Sequence, residues 1–135
     1  MNHFESICKE LSQTIERVYN EGCTILEAER LAARTLSVRM VLADDIKTKD
    51  LDARMKKHGV KAIRAKAYMD ELVKYDKKPA ETFLENAVNT CALVEAAETL
   101  YAVADTEKER LEAYLDIFKD AHIYFRGIAK GSYEG

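Results

Sequence analysis

A chain of 135 residues with 47% hydrophobic and 33% charged residues has enough apolar side chains to fold, and its length suits a single domain over residues 1–135. The formal net charge of −3, one Pro, five Gly and no Trp favour an all-α protein. There is no apolar run that could span a bilayer and no apolar leader, which argues against a membrane protein and predicts a cytoplasmic one. Three cysteines and three scattered histidines, without metal-ligand spacing, predict reduced thiols and neither a metal nor a cofactor.

The first 50 residues predict two helices. Residues 3–20 carry apolar side chains at helical spacing, and the Gly22 turn ends this helix. The second helix is predicted to begin at Thr24, because Glu27 follows three residues later in a capping-box pattern. Its predicted apolar row is Ala28, Leu31, Thr35, Val38 and Leu42. We expect this helix to end within the polar stretch 44–49.

Two further helices follow before the C-terminal one. A third helix is predicted over about 50–75, where Gly59 makes a bend or a break plausible because glycine costs about 1 kcal/mol against alanine in a helix. The sequence "YDKKPAET" predicts a turn, with Pro79 as the first residue of a short helix over 79–89.

The last predicted helix is the longest, from Leu93 to the glycine cap at Gly131, followed by a loose tail. Its apolar seam steps by three and four residues and is interrupted only at Glu107. This pattern predicts a helical bundle with a long coiled-coil-like helix that forms a homo-oligomer, whereas an antiparallel monomeric bundle stays the alternative. The residues predicted to build the oligomer are Leu100, Leu111, Tyr114, Phe118 and Phe125.

Positive charge is concentrated in residues 51–78, which hold nine Lys and Arg against four Asp and Glu in a chain that is acidic overall. At helical spacing, cations and tyrosines of this segment share a face, which suits a single-stranded nucleic acid because cations neutralise phosphates and aromatic rings stack on bases. The predicted phosphate contacts are Arg54, Lys57, Lys61, Arg64 and Lys66, and the predicted stacking residues are Tyr68 and Tyr75. A neighbouring apolar row is predicted to pack inward: Leu51, Met55, Ala62, Ala65, Met69 and Leu72.

Other interpretations of the charged residues stay open. The cations could face solvent or pair with the acidic last helix, and both tyrosines could be half-buried. Glu95-x-x-Glu98 followed by Glu112 and Asp116 resembles the acidic pairs that hold Mg²⁺ in all-α nucleotide pyrophosphatases, but the second pair is too widely spaced and lies on the same predicted helix. An acidic solvent face is the better interpretation, and the sequence predicts no enzyme.

Three stretches resemble the phage recombination mediators of the UvsY type. They are "EAERLAARTLSVRMVLADD", the basic "KAIRAKAYMDEL", and "KKPAETFLENAVNT" with the long helix that ends in "YFRGIAKG". The resemblance covers roughly residues 27–131, with Ala80 where Ser or Thr is usual in the turn. It assigns DNA binding to Lys61, Arg64 and Lys66 in particular.

The resemblance implies a single-stranded DNA-binding mediator that helps to load a RecA-like phage recombinase on strands coated by single-strand binding protein. It also implies a homo-oligomer in the cytoplasm of an infected bacterial host. The alternative function is a non-enzymatic helical adaptor, virion component or inhibitor that acts through protein–protein contacts.

Overall fold

Four α-helices make up the fold of the described residues. The computed structural model describes residues 3–131, in which α1 is His3–Glu21, α2 is Ile25–Leu72, α3 is Glu81–Asn89 and α4 is Ala92–Ala129. No strand occurs within this range, so the all-α prediction is confirmed. The predicted loose tail beyond Gly131 lies outside the described residues.

The helices form two compact units, and α2 and α4 contribute to both. Unit 1 comprises residues 3–46 and 109–131, and unit 2 comprises residues 47–108. This division does not decide the prediction of one domain over residues 1–135, because both boundaries between the units fall inside continuous helices, one in α2 and one in α4.

The turn between α1 and α2 follows the sequence prediction closely. Gly22 has φ 82°, a left-handed conformation that favours glycine, and its N–H donates to the Val18 carbonyl at 2.7 Å. The Glu27 N–H then donates to Thr24 Oγ1 at 3.1 Å, and the Thr24 hydroxyl donates to Glu27 Oε1 at 3.2 Å. These reciprocal bonds are the predicted capping box, and they place the start of α2.

The predicted end of the second helix at 44–49 is wrong, because α2 continues without interruption through Gly59 to Leu72. Lys49 of this stretch pairs with Glu107 on α4, and charged side chains just after the stretch pair within α2. Arg54 contacts Asp50 at 2.9 Å and Lys56 contacts Asp52 at 3.0 Å, each one helical turn away. The separate third helix predicted over 50–75 is therefore the second half of α2.

The turn before α3 is present, but α3 begins at Glu81, so Pro79 precedes the helix and is not its first residue. The C-terminal end of α4 agrees with the prediction. Gly131 has φ 72° and its N–H donates to the Ile128 carbonyl at 2.9 Å.

Most of the α4 residues that were predicted to build an oligomer lie in the core of unit 1 or pack against it. Leu111, Phe118 and Phe125 are each 0% exposed and pack with the buried residues of α1 and α2. Tyr114 is half-buried and stacks on Phe118 at 5.9 Å between ring centroids. The side chains of this stretch are therefore covered by the chain itself, and the monomeric bundle accounts for their burial. The homo-oligomer stays a prediction.

Unit 2 has a smaller core, made by α3 and by parts of α2 and α4. Its buried hydrophobic residues are Ala53, Leu84, Val88, Val94 and Ala104. Ion pairs join α2 and α4 at one end of the unit, where Lys49 lies 3.5 Å from Glu107 and Lys108 lies 3.6 Å from Asp50. Leu100, the remaining predicted oligomer residue, lies in this unit and is 57% exposed.

Candidate nucleic-acid interface

Residues 51–72 of the basic segment belong to α2 in unit 2, and residues 73–78 lie in the turn after it. Residues 54–66 are helical throughout, so one helix carries every predicted phosphate contact. Arg54, Lys57, Lys61 and Lys66 are exposed, whereas Arg64 is only partly exposed. Exposure alone does not make a cation available, because several of them already have acidic partners.

Of the predicted phosphate contacts, Lys57 and Lys61 are those without a partner in the described residues. They lie one helical turn apart, and within residues 3–131 neither forms an ion pair or a side-chain hydrogen bond. Arg54 lies one turn before Lys57 and pairs with Asp50 on its own helix, with its side chain 73% exposed. Exposed pairs of this kind contribute little free energy, so the guanidinium can exchange Asp50 for a phosphate. We call Arg54, Lys57 and Lys61 the cationic strip.

Arg64 is held inside unit 2. Its Nη1 lies 2.8 Å from Glu98 Oε1 on α4, and its Nη2 donates to Asn89 Oδ1 at 2.8 Å. The ion pair between Arg64 and Glu98 agrees with the alternative interpretation, in which cations of the basic helix pair with the acidic last helix. The structure therefore does not bring Arg64 together with the cationic strip.

Lys66 and Tyr68 also have partners within the chain. Lys66 Nζ lies 3.3 Å from Asp70 Oδ2, and the Tyr68 hydroxyl donates to Glu81 Oε2 at 3.2 Å. Lys78 lies 3.6 Å from the same Glu81 carboxylate, and the charges of Tyr68 and Glu81 raise the pKa of Lys78. Tyr68 is half-buried, as the alternative interpretation has it.

Tyr75 forms a local cluster with α3 and with the end of α2. Its ring packs edge-to-face against Phe83 at 5.6 Å between centroids, and its hydroxyl donates to Glu71 Oε1 at 3.2 Å. Lys74 lies 2.8 Å from the other Glu71 oxygen, and this hydrogen bond lowers the pKa of Glu71 and raises the pKa of Lys74. Base stacking by Tyr75 stays a prediction, and the ring is 43% exposed.

The apolar row predicted to pack inward is instead largely exposed, and this prediction is wrong. Leu51, Met55 and Met69 are 59%, 64% and 54% exposed, Ala62 and Ala65 are exposed, and Leu72 is half-buried. The opposite side of α2 packs inward, around the buried Ala53. That side packs because it carries small residues and because Arg64 and Tyr68 meet acidic partners there.

Sequence reasoning missed that α2 has two apolar sides. One side supplies the cores of the two units and the other is exposed, with Met40, Met55 and Met69 among its members. The available signal was that apolar residues fall all round this helix, which is typical of a helix that is covered on more than one side. The periodicity of a single row could not show which row is inside.

Across the described residues no group of three or more His, Cys, Asp or Glu side chains could hold a metal ion. No helix in residues 3–131 is both long and apolar enough to cross a membrane. Comparison of the chain with family models, with curated proteins and with solved structures found no match.

Proposed function

We propose that this chain is a non-enzymatic protein that binds single-stranded nucleic acid along the cationic strip of α2. One observation supports the proposal above the others: Lys57 and Lys61 are exposed on a rigid helix without an acidic partner in the described chain. In a protein of net charge −3, unpaired cations one turn apart offer a polyanion a place to bind with little repulsion.

The spacing of the strip suits a flexible phosphate backbone. At a rise of about 1.5 Å per residue, Lys57 and Lys61 lie about 6 Å apart along α2, and Arg54 lies about 10 Å from Lys61. The three cations therefore follow one line along the helix. Phosphate contacts carry no sequence information, so binding is largely independent of base sequence.

Three contacts make a weak site, and self-association would strengthen it. Several copies that present the strip on one strand gain affinity through effective concentration, without new contacts. The finer role, a mediator that loads a RecA-like recombinase on strands coated by single-strand binding protein, rests on the resemblance of the sequence. It adds two protein partners to the same proposal.

The test is fluorescence anisotropy of a labelled oligo-dT at low salt. Lys57→Ala/Lys61→Ala should weaken binding by about tenfold or more, because it removes two phosphate contacts. The matched control is Lys66→Ala/Lys74→Ala, which also removes two cations. Lys66 lies about 140° round α2 from Lys61, and Lys74 lies in the turn after α2, where it pairs with Glu71. Equal losses in the two double variants would contradict the proposal, since cations on and off the strip would then count alike.

A second candidate function, a helical adaptor, is favoured by the exposed apolar surface of unit 2. A groove of about 340 Å³ lies between α2 and α4, lined mainly by apolar residues that include Met55, Ile63 and Leu100. An adaptor would retain a protein partner at high salt after nuclease treatment, and Met55→Ser/Leu100→Ser would release it. The nucleic-acid proposal expects the same variant to bind oligo-dT as the wild type does.

A further inference from the structure

A second groove, in unit 1, lies between α2 and α4 beside the buried core. Leu36 and Met40 are 44% and 67% exposed, although α2 buries Thr35, Val38 and Leu42 beside them. Leu36, Met40 and Ala43 follow at helical spacing and line the groove together with Leu115 of α4. The groove has a volume of about 260 Å³.

The charges of this groove have one sign. Arg39 of α2 and Lys119 of α4 line it, and no acidic residue does. In the described part of the chain neither cation forms an ion pair or a side-chain hydrogen bond. Two unpaired cations beside an apolar groove favour acidic groups in whatever covers it.

The lining also restricts the shape of the occupant. Ala43 leaves room between α2 and α4, and Met40 is flexible enough to fit side chains of different shape. Grooves between two helices accept the apolar face of a third helix, whose anchors recur at three- and four-residue spacing. A second copy offering the same groove is disfavoured, because it would bring Arg39 and Lys119 against identical cations. A nucleic acid would leave the apolar lining uncovered.

We propose that the groove formed by Leu36, Met40, Ala43 and Leu115 binds an acidic amphipathic helix of a partner protein, whose carboxylates pair with Arg39 and Lys119. This site is separate from the cationic strip, which lies in unit 2, and does not depend on it. The chain thus carries a protein-docking site beyond the proposed nucleic-acid site.

Two labelled helical peptides test the proposal by fluorescence anisotropy. Both carry leucines at positions i, i+3, i+4 and i+7, and their other positions are mainly Glu in one peptide and Lys in the other. The acidic peptide should bind at least about tenfold more tightly than the basic one. Arg39→Glu/Lys119→Glu should reverse this preference, and Met40→Ser should weaken binding of the acidic peptide.

The matched control is Lys9→Glu/Arg30→Glu, which reverses two exposed cations of unit 1 that do not line the groove. This control should keep the preference for the acidic peptide, and so should Lys57→Ala/Lys61→Ala. Circular dichroism checks that every variant is folded. Equal reversal by the control pair would overturn the proposal, as would concentration-dependent dimerisation that Met40→Ser abolishes, or oligo-dT binding that Arg39→Glu/Lys119→Glu abolishes.

Discussion

At the scale of single residues, the partner of a charged side chain decides what it can do. Lys61 and Arg64 are neighbours on α2, yet Lys61 has no acidic partner within the described residues and Arg64 is held by Glu98 and Asn89. Removing Arg64 would disturb the packing of unit 2, whereas removing Lys61 would change the surface charge alone. A loss of binding on mutation is therefore informative at Lys61 and ambiguous at Arg64.

A residue-scale prediction concerns Cys8, which is 0% exposed in the core of unit 1. Burial, with Glu5 and Asp45 nearby, raises the pKa of the Cys8 thiol from 9.0 to about 11. Below pH 9 the thiol is protonated in both folded and unfolded chains, so its contribution to stability is fully present. Between pH 9 and 11 the unfolded chain loses this proton first, and the free energy of unfolding falls by up to about 1.4 kcal/mol per pH unit.

Urea unfolding of the wild type and of Cys8→Ala at pH 8 and pH 10.5 measures this effect. The alanine variant lacks the titrating group, so the difference in free energy of unfolding between the two proteins should shrink at the higher pH. A difference that is the same at both pH values would show that Cys8 titrates alike in the folded and unfolded chains.

At the scale of elements, α2 is one helix, and Gly59 does not interrupt it. In the described chain a Cβ added at Gly59 meets no atom within 4 Å, and the backbone there is helical. Gly59→Ala should therefore raise the free energy of unfolding by about 0.5–1 kcal/mol, because alanine loses less conformational entropy in a helix.

The matched control for this prediction is Ala62→Gly, an exposed position on the same helix. It should lower the free energy of unfolding by a similar amount, and neither variant should change oligo-dT binding. A loss of stability in Gly59→Ala, measured by urea unfolding, would indicate that α2 bends at Gly59 in solution.

Local chemistry explains which elements the sequence could predict. Thr24 with Glu27, and the two positive-φ glycines, mark helix ends through contacts between near neighbours, and all three were placed correctly. The helical conformation directly after the predicted break at 44–49 could also have been foreseen, because Asp50 and Asp52 stand four residues before Arg54 and Lys56. The pairing of Arg64 with Glu98 could not, because it depends on where α4 packs.

The prediction of the candidate site was also limited by contacts that depend on how the other helices pack. Residue type and spacing predicted a basic face on α2, and Lys57 and Lys61 of that face are exposed. Spacing alone predicted the wrong inner row, because Leu51 and Met55 are as regularly spaced as the small residues that pack inward. Only the packing of the other helices distinguishes the two rows.

At the scale of the whole molecule, the long apolar seam of α4 has different roles along its length. Phe118 is 0% exposed and Leu100 is 57% exposed, although both follow the same three-four step. Phe118→Ala should lower the free energy of unfolding by about 3–5 kcal/mol through loss of buried area and a residual cavity. Leu100→Ala should change it by less than about 0.5 kcal/mol, since the side chain is mostly exposed.

Urea unfolding at two protein concentrations checks this contrast and controls for self-association. If a second copy covers Leu100, Leu100→Ala lowers stability more at the higher concentration, and the homo-oligomer prediction gains support. If the chain acts alone, the two concentrations agree.

The most direct measurement for the whole account is the salt dependence of oligo-dT binding. Three phosphate contacts predict a slope of log K against log salt of about −2, and Lys57→Ala/Lys61→Ala should reduce it to about −0.7. Lys66→Ala/Lys74→Ala should keep the slope of the wild type, because neither lysine lies on the cationic strip. A folded wild type that does not bind oligo-dT at low salt, or one whose binding has no salt slope, would contradict the assignment of the cationic strip to nucleic acid.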